Sequence, residues 1–224
     1  MKTLRGWIPC IVVVLLLAPS LRARDLSKYR GFSLGTNLAT VLKLTDQKLA
    51  DVKVMHEHPA LIEDVTWWPP SIPGPSYRSD SVEQILFSFY DGKLYKMFVT
   101  YDQASTEGLT SEDMVTSISA KYGLPAFVMP EVDTAKNYRY EVTHKLIAMW
   151  DDSQYSFNLV RSSFAGRFGL IICSKRVDAE AQRAVAEAMK LEEQAGPQKD
   201  ADRHKKQLDN LEIERQKNRK IFRP

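Results

Sequence analysis

An Asp-Gly turn between two apolar segments constrains the fold of this 224-residue chain more than any other feature. Asp91-Gly92 separates residues 85–90 from residues 93–101, and both segments are rich in aromatic and β-branched side chains. A two-residue Asp-Gly turn matches the twist of an antiparallel hairpin. The register predicts three cross-strand pairs: Tyr90 with Lys93, Phe89 with Leu94 and Ile85 with Phe98. We expect the last two pairs to face the core.

A helix is predicted shortly after this hairpin. Thr110 can cap its first turn, and Asp113 can return a hydrogen bond to the cap as a shortened capping box. Gly123 is expected to end it. Its apolar residues recur at helical spacing: Met114, Val115, Ile118 and Tyr122. A shorter helix is predicted over residues 37–44.

The remaining pattern predicts an α+β fold of two layers, in which helices pack on an antiparallel sheet. Further strands are predicted at residues 52–56, near 65–67, and at 146–150, 155–160 and 168–174. Residues 24–104 and 105–195 then each form a helix-plus-antiparallel-sheet unit. The similar placement of Val41 and Val115, and of Trp68 and Trp150, suggests a loose tandem duplication of a helix-plus-hairpin unit.

Short motifs at the ends of the two helices carry a family resemblance. Leu34-Gly35-Thr36 leads into the first helix, and residues 122–125 (Tyr-Gly-Leu-Pro) follow the second, before Trp150 and a hairpin. These segments resemble the small periplasmic helix-plus-three-strand modules of the BamE/SmpA family, and the tandem arrangement is similar to the β-lactamase inhibitor proteins. The lipidated cysteine of the BamE/SmpA lipoproteins is missing. The resemblance implies a module that contacts other proteins and has no chemistry of its own.

Residues 1–23 have the pattern of an export signal. Basic residues precede an apolar run, Trp7–Ala18, that is shorter than the roughly 20 residues a membrane-spanning helix needs. Cleavage is expected after Ser20 or after Ala23. The basic residues that follow the run resist translocation, so retention as an anchor remains an alternative. The predicted location is periplasmic or secreted.

The charge of the chain does not favour nucleic acid as a partner. Removing residues 1–23 removes Lys2, Arg5 and Arg22 from the 31 basic residues and none of the 28 acidic ones, so the mature chain has no formal net charge. Cys173 is then the single thiol and cannot form an internal disulfide. The sequence has no phosphate-binding glycine loop, no G-x-S-x-G turn and no H-E-x-x-H motif, and no cofactor is predicted.

Two segments of the mature chain are candidate ligand sites. His56 and His58 have the H-x-H spacing of adjacent metal ligands, although a polar strand end is the favoured interpretation because no third ligand is specified. Trp67 and Trp68 precede a proline-rich segment and could form an aromatic wall for a sugar or a peptide. The alternative is that one tryptophan belongs to the core and the prolines form a stiff surface loop.

The C-terminal segment, residues 196–224, is predicted to be a charged helical or disordered tail. A helix over residues 178–193 precedes it, and Gly196-Pro197 is expected to break that helix. The tail ends in residues that could contact an anionic partner or membrane surface: Arg215, Lys217, Arg219, Lys220 and Phe222. We call these five residues the basic tip.

Three functions remain open at this level. The favoured one is an exported soluble protein that binds another protein of the cell envelope and catalyses no reaction. The second is an extracytoplasmic hydrolase or metal-dependent enzyme whose site residues are dispersed in the sequence. The third is a sugar- or peptide-binding module that uses Trp67 and Trp68.

The export signal leads to a first prediction. N-terminal sequencing of the protein from fractionated cells should find a mature chain that begins at Leu21 or Arg24, outside the cytoplasm, because signal peptidase cleaves after small residues. An intact Met1 in the membrane pellet would instead establish an uncleaved anchor.

Overall fold

The computed structural model describes residues 25–70, 81–129, 144–163 and 166–221, except that the side chains of residues 195–202 are not described. The predicted export signal lies outside these ranges. Within them, no helix combines the length and the apolar character that crossing a membrane requires.

The described residues form four α-helices and ten strands. The helices are α1 (Leu38–Thr45), α2 (Gln103–Thr106), α3 (Ser111–Tyr122) and α4 (Lys175–Ile221). The strands are β1 (Lys28–Tyr29), β2 (Phe32–Ser33), β3 (Lys53–His56), β4 (Ile62–Trp67), β5 (Val82–Tyr90), β6 (Lys93–Tyr101), β7 (Phe127–Val128), β8 (His144–Asp151), β9 (Tyr155–Ser162) and β10 (Phe168–Ser174). A 3-10 turn, Leu49–Asp51, follows α1.

Eight strands form one antiparallel sheet in the order β3-β4-β5-β6-β10-β9-β8-β7, and β1 pairs with β2 as a separate small hairpin. The predicted α+β class is confirmed. Chain order divides the sheet into two similar halves, because α1 precedes strands β3–β6 and α3 precedes strands β7–β10. The last strands of the two halves, β6 and β10, pair in the middle of the sheet. Each half therefore has four strands, and the duplication remains a hypothesis about its origin.

The Asp91-Gly92 turn joins β5 to β6, and both turn residues have positive φ, 47° and 71°. The predicted pairs of Tyr90 with Lys93 and Phe89 with Leu94 are confirmed. The prediction that Ile85 pairs with Phe98 is wrong, because Ile85 pairs with Val99 and Leu86 with Phe98. The register shifts at Ser88/Phe89, where Tyr95 is an extra residue in β6. A one-residue bulge turns every later side chain of the strand to the other face.

Local hydrogen bonds fix the beginnings of the two predicted helices. The Thr110 hydroxyl accepts a hydrogen bond from the Asp113 N–H at 3.1 Å, and the Asp113 carboxylate accepts one from the Thr110 N–H at 2.8 Å. This is the predicted capping box, and Gly123 ends the helix with φ 78°. Asn37 caps α1 by accepting a hydrogen bond from the Thr40 N–H. Such caps typically contribute about 1 kcal/mol each.

The main core lies between one face of the sheet and the helices α1 and α3. Trp150, Phe87, Phe89 and Phe157 are its largest fully buried side chains. The sheet contributes alternate residues of β5, β6, β9 and β10, whereas α1 contributes Val41 and Leu42, and α3 contributes Met114, Ile118 and Tyr122. The β1–β2 hairpin covers part of the same face through Phe32, whose ring centroid lies 4.7 Å from that of Phe87. Each of these large side chains stabilises the fold by about 2–3 kcal/mol through burial.

Helix α4 packs on the other face of the sheet. Its buried residues Ala181, Ala184 and Ala188 recur at helical spacing, and Ala184 joins a second apolar cluster with Ile62. Asp178 forms an ion pair with Lys96 at 3.2 Å, on the side of β6 that faces away from the main core. The sheet and the helices α1 and α3 therefore form the two predicted layers. Helix α4 adds a partial third layer on the other face of the sheet.

The prediction that Gly196-Pro197 breaks the last helix is wrong, because α4 continues through both residues to Ile221. Proline lacks an N–H and so removes one hydrogen bond of the helical ladder, at a cost of about 3 kcal/mol. The residues around the pair are mainly good helix formers, Glu, Gln, Ala and Lys, which favour helix on both sides.

The burial of Trp150 leads to a second prediction. Its side chain is fully buried, and its Nε1–H donates to the Gly123 carbonyl at 2.7 Å, which ties β8 to the end of α3. Trp150→Phe should lower the free energy of unfolding by about 2–3 kcal/mol, through lost packing and an unpaired carbonyl. Trp68→Phe is the matched control, because Trp68 is 60% exposed and its change should stay within about 0.5 kcal/mol. If a urea titration showed the same loss of unfolding free energy for Trp150→Phe and Trp68→Phe, the assignment of Trp150 to the core would be contradicted.

Candidate functional site

One concave site is a cleft of about 340 Å³ along α3, here called the tyrosine cleft. Three tyrosines from separate elements meet there: Tyr29 from β1, Tyr101 from the end of β6 and Tyr122 from the end of α3. Leu109, Met114 and Ile118 supply the apolar lining, and serine and threonine side chains lie around it. The other lining residues are Arg30, Ser81, Ser105, Thr106, Leu109, Met114, Ser117, Ile118 and Lys121.

Two cations lie at the tyrosine cleft. The Arg30 guanidinium carbon lies 5.7 Å from the centre of the Tyr29 ring, and Lys121 Nζ lies 5.3 Å from the centre of the Tyr122 ring. A smaller adjoining pocket of about 220 Å³ shares both cations and adds Lys28 and Asp25. Lys28 and Asp25 form an ion pair at 3.2 Å, so their charges offset each other. The lining residues of the two pockets therefore carry a net positive charge.

Tyr101 and Tyr122 remain neutral phenols over the physiological pH range. Burial, with smaller contributions from Tyr29 and Tyr122, raises the pKa of Tyr101 well above its usual value. Burial also raises the pKa of Tyr122 to about 12. A protonated phenol donates one hydrogen bond and accepts others. The Tyr122 hydroxyl donates to the Lys28 carbonyl at 3.5 Å, and Tyr101 is hydrogen-bonded to Tyr29, so the cleft combines internally bonded phenols and cations with an apolar floor.

His56 and His58 lie together at a second cleft of about 580 Å³, between the end of β3 and α4. His56 Nδ1 is buried without a hydrogen-bond partner among the described residues, and it lies 3.8 Å from Glu192 Oε1. In the described part of the chain, no group of three or more His, Cys, Asp or Glu side chains is placed to hold a metal ion. The arrangement thus gives His56 a carboxylate neighbour from α4 and an apolar wall of Val54, Met55 and Leu191.

The two tryptophans differ in their surroundings. Trp67 is the last residue of β4 and is partly buried against the main core, with its ring 5.5 Å from that of Phe32 in an edge-on contact. Trp68 is 60% exposed. This placement assigns Trp67 to packing and leaves Trp68 as the surface aromatic of the pair. The proline-rich segment after it, from residue 71 to residue 80, lies outside the described residues.

The basic tip lies at the end of α4, more than 25 residues after Ala188, the last residue of the helix that is buried against the sheet. Arg215, Lys217, Arg219 and Lys220 are all exposed, and Phe222 lies outside the described residues. Arg215 pairs with Glu212 at 3.1 Å, and Lys217 lies 3.9 Å from Glu214. Exposed pairs of this kind contribute less than about 1 kcal/mol, so they leave the cations available to a partner.

The single thiol of the described residues has the surroundings of a core residue. Cys173 lies in β10 and is buried, and desolvation raises its pKa to about 11. Since the thiolate is the reactive form, this cysteine is a poor nucleophile at neutral pH.

The tyrosine cleft was not predicted from sequence patterns, because its members are distant along the chain. Tyr29, Tyr101 and Tyr122 each occur in segments that also fit core packing, and Arg30 is one of several basic residues that follow the apolar run. One signal was available: Arg30 precedes Gly31 between two short aromatic segments, an arrangement that indicates a turn. Only the packing of α3 beside β6 and the β1–β2 hairpin brings these residues together.

No protein-family model, curated protein or solved structure matches this chain.

The buried phenols lead to a third prediction, on alkaline stability. The raised pKa values of Tyr101 and Tyr122 stabilise the folded state fully below the pKa of an unfolded tyrosine, about 10, and this stabilisation is lost as pH rises toward the folded values. The free energy of unfolding should therefore fall steeply between about pH 10 and 12. Tyr101→Phe should reduce that slope, as measured by denaturant titration beside tyrosinate absorbance. An unchanged slope would mean that Tyr101 ionises freely.

Proposed function

We propose that this protein is an exported, soluble binding protein of the cell envelope, periplasmic or secreted, that contacts a partner protein and has no catalytic activity. The observation that carries the proposal is the form of α4, which is docked on the sheet at its beginning and exposed along its end. A helix that leaves its own domain and carries apolar side chains is suited to binding another surface.

The two parts of α4 differ in burial. Ala181, Ala184 and Ala188 are buried against the sheet, whereas every residue from 203 to 221 is exposed. At 1.5 Å per residue, this second part extends for about 28 Å. Its large apolar side chains are 53–66% exposed: Leu208, Leu211, Ile213 and Ile221. An isolated helix gains little from its own propensity, so a partner surface would stabilise it.

The charge of this exposed part favours an acidic partner. Residues 203–221 contain seven basic and three acidic side chains, and the last acidic one is Glu214. Complementary charge increases the rate of association and selects against basic surfaces. We therefore assign the partner as a protein with an acidic surface and some apolar area, bound by the basic tip and the turns before it.

A protein surface suits these side chains better than a lipid surface does. At about 100° per residue, Leu208 and Leu211 lie on one side of the helix, while Ile213 lies about 140° away from Leu208. An interfacial membrane helix needs a continuous apolar face. A groove on a protein can instead accommodate two or three separate apolar contacts.

The other functions have less support among the described residues. The lining of the tyrosine cleft includes no carboxylate, imidazole or thiol from the described part of the chain, so a general base is not placed there. The sugar- or peptide-binding alternative depends on Trp68, whose neighbour Trp67 packs toward the core.

Site-specific crosslinking in cells tests the proposed contact. A photoreactive residue at position 211 should give one discrete protein adduct in the envelope, and the same residue at position 44 should not, although Leu44 is similarly exposed. Changing Arg215, Lys217, Arg219 and Lys220 to glutamine should abolish the adduct. The matched control changes four exposed lysines elsewhere to glutamine and should leave it intact: Lys43, Lys53, Lys145 and Lys190.

Salt and lipid controls distinguish a protein partner from a membrane surface as the binding partner of the end of α4. The adduct should weaken as salt rises, because the Debye length is about 8 Å at physiological ionic strength. An adduct that persists in the glutamine variant would refute the charge-based contact. Sedimentation of the protein with phosphatidylglycerol vesicles, without a protein adduct, would replace the protein partner by a membrane surface.

The fourth prediction concerns truncation. Deleting residues 197–224 should leave the thermal midpoint nearly unchanged, because the buried alanines of α4 remain in place. The same deletion should abolish the crosslinked adduct. Unfolding of the truncated protein, measured by circular dichroism, would show that the end of α4 belongs to the folded domain.

A further inference from the structure

The cleft between β3 and α4, here called the edge cleft, has an acidic and apolar lining at the outermost strand of the sheet. Its apolar wall is 41–48% exposed and consists of Val54, Met55 and Leu191. The carboxylates of Glu57 and Glu192 also line it, and no lysine or arginine of the described residues does. The remaining lining residues are His56, His58 and Ala188. A cation carried on an apolar surface therefore complements this cleft.

Both carboxylates of the edge cleft are available to a docking partner. Glu57 is exposed, and no hydrogen bond or ion pair joins it to another described residue. Glu192 is 67% exposed, and its Oε1 lies 3.8 Å from His56 Nδ1, which is too far for a hydrogen bond. A lysine of another molecule can therefore approach each carboxylate without breaking a hydrogen bond within this chain.

The exposed end of α4 carries a surface of the complementary kind. Ile213, Lys217, Lys220 and Ile221 recur at i, i+4, i+7 and i+8, so they lie within about 100° of one another on one side of the helix. We call these four residues the lysine face. Its two isoleucines are 62% and 64% exposed. The one ion pair of Lys217 among the described residues is a contact of 3.9 Å with Glu214, and both side chains of that pair are exposed.

The charge of α4 changes sign along its length. Residues 187–194 contain three acidic and one basic side chain, whereas residues 215–221 contain four basic and no acidic ones. The lysine face cannot reach the edge cleft of its own chain, because Glu192 and Lys217 are separated by about 38 Å of continuous helix. A second copy in the antiparallel direction brings the basic end of each α4 to the acidic part of the other. A two-fold axis then gives two identical contacts and closes the assembly.

We propose that the edge cleft binds the lysine face of a second copy of this chain, in a reciprocal dimer whose two α4 helices run antiparallel. The two isoleucines of the lysine face cover the apolar wall of the edge cleft, and its two lysines pair with Glu57 and Glu192. This contact is separate from the contact proposed for a partner protein, because the opposite side of the helix carries a different set of residues: Leu208, Leu211, Arg215 and Arg219.

Sedimentation velocity of the full mature chain at several protein concentrations tests the dimer. The wild-type protein should form a dimer as its concentration rises. The dimer should dissociate as salt is added, because the Debye length falls from about 8 Å at physiological ionic strength to about 3 Å at 1 M. A monomer at every concentration in low salt would overturn the dimer, whereas the contact with a partner protein is judged by the crosslinked adduct of position 211.

Charge reversal tests which surfaces meet. A cleft variant carries Glu57→Lys and Glu192→Lys, and a face variant carries Lys217→Glu and Lys220→Glu. Each variant alone should remain monomeric because like charges meet at both contacts. An equimolar mixture should form a dimer, because one contact then has the wild-type charges and the other has both signs reversed. A cleft variant that dimerises like the wild type, or a mixture of two folded variants that stays monomeric, would overturn the proposal.

Matched variants on the opposite side of α4 separate the proposed contact from general charge attraction. Arg215→Glu with Arg219→Glu reverses the same number of charges and should leave the dimer intact. Ile213→Asp should raise the dissociation constant of the dimer about tenfold, whereas Leu208→Asp should not. Both isoleucine and leucine positions are exposed, so neither change disturbs the folded domain. Equal weakening by the two pairs of variants would refute the lysine face, even if the cleft variant fails to fold.

Discussion

The pairing of β6 with β10 joins the two halves of this molecule into one sheet, and both the core and the clefts depend on it. Five residue pairs, from Gly169–Thr100 to Cys173–Lys96, hold the central strands in register. A Cβ atom at Gly169 would lie 2.8 Å from Phe98 Cε2 and 3.2 Å from the Val99 carbonyl oxygen. Glycine therefore allows the Phe98 ring to lie across the join, where it also meets His144 edge-on at 5.0 Å.

The same join explains why the tyrosine cleft lies where it does. Tyr101 is the last residue of β6, the strand of the first half that pairs with β10. Tyr122 is the last residue of α3, the helix that begins the second half. Tyr29 comes from the hairpin that precedes both halves. A site built from three successive parts of the chain exists only in the assembled domain, unlike the basic tip, whose residues follow each other on one helix.

Features governed by neighbouring residues could be predicted from the sequence, and features governed by distant contacts could not. The Asp91-Gly92 turn and the capping box of Thr110 and Asp113 depend on a few adjacent residues whose chemistry allows few alternatives. The bulge at Tyr95 was missed, because an extra residue leaves no mark on an alternating apolar pattern. It places Tyr95 beside Ser88 and Asp178 rather than in the main core. For the candidate sites, the exposed tip of α4 followed from composition, whereas the meeting of Tyr29, Tyr101 and Tyr122 required the tertiary structure.

The order of the strands also has a consequence for folding kinetics. Within each half, all neighbouring strands are consecutive in the chain, so they can pair after closing shorter loops. The residues that pair across β6 and β10 are roughly 70 positions apart, so this step carries the largest loop-closure entropy of the sheet. Until it occurs, both strands have an unpaired edge with apolar side chains, which is the form most exposed to pairing with another molecule. The speed of this one step therefore sets how long a newly synthesised chain is at risk of aggregation.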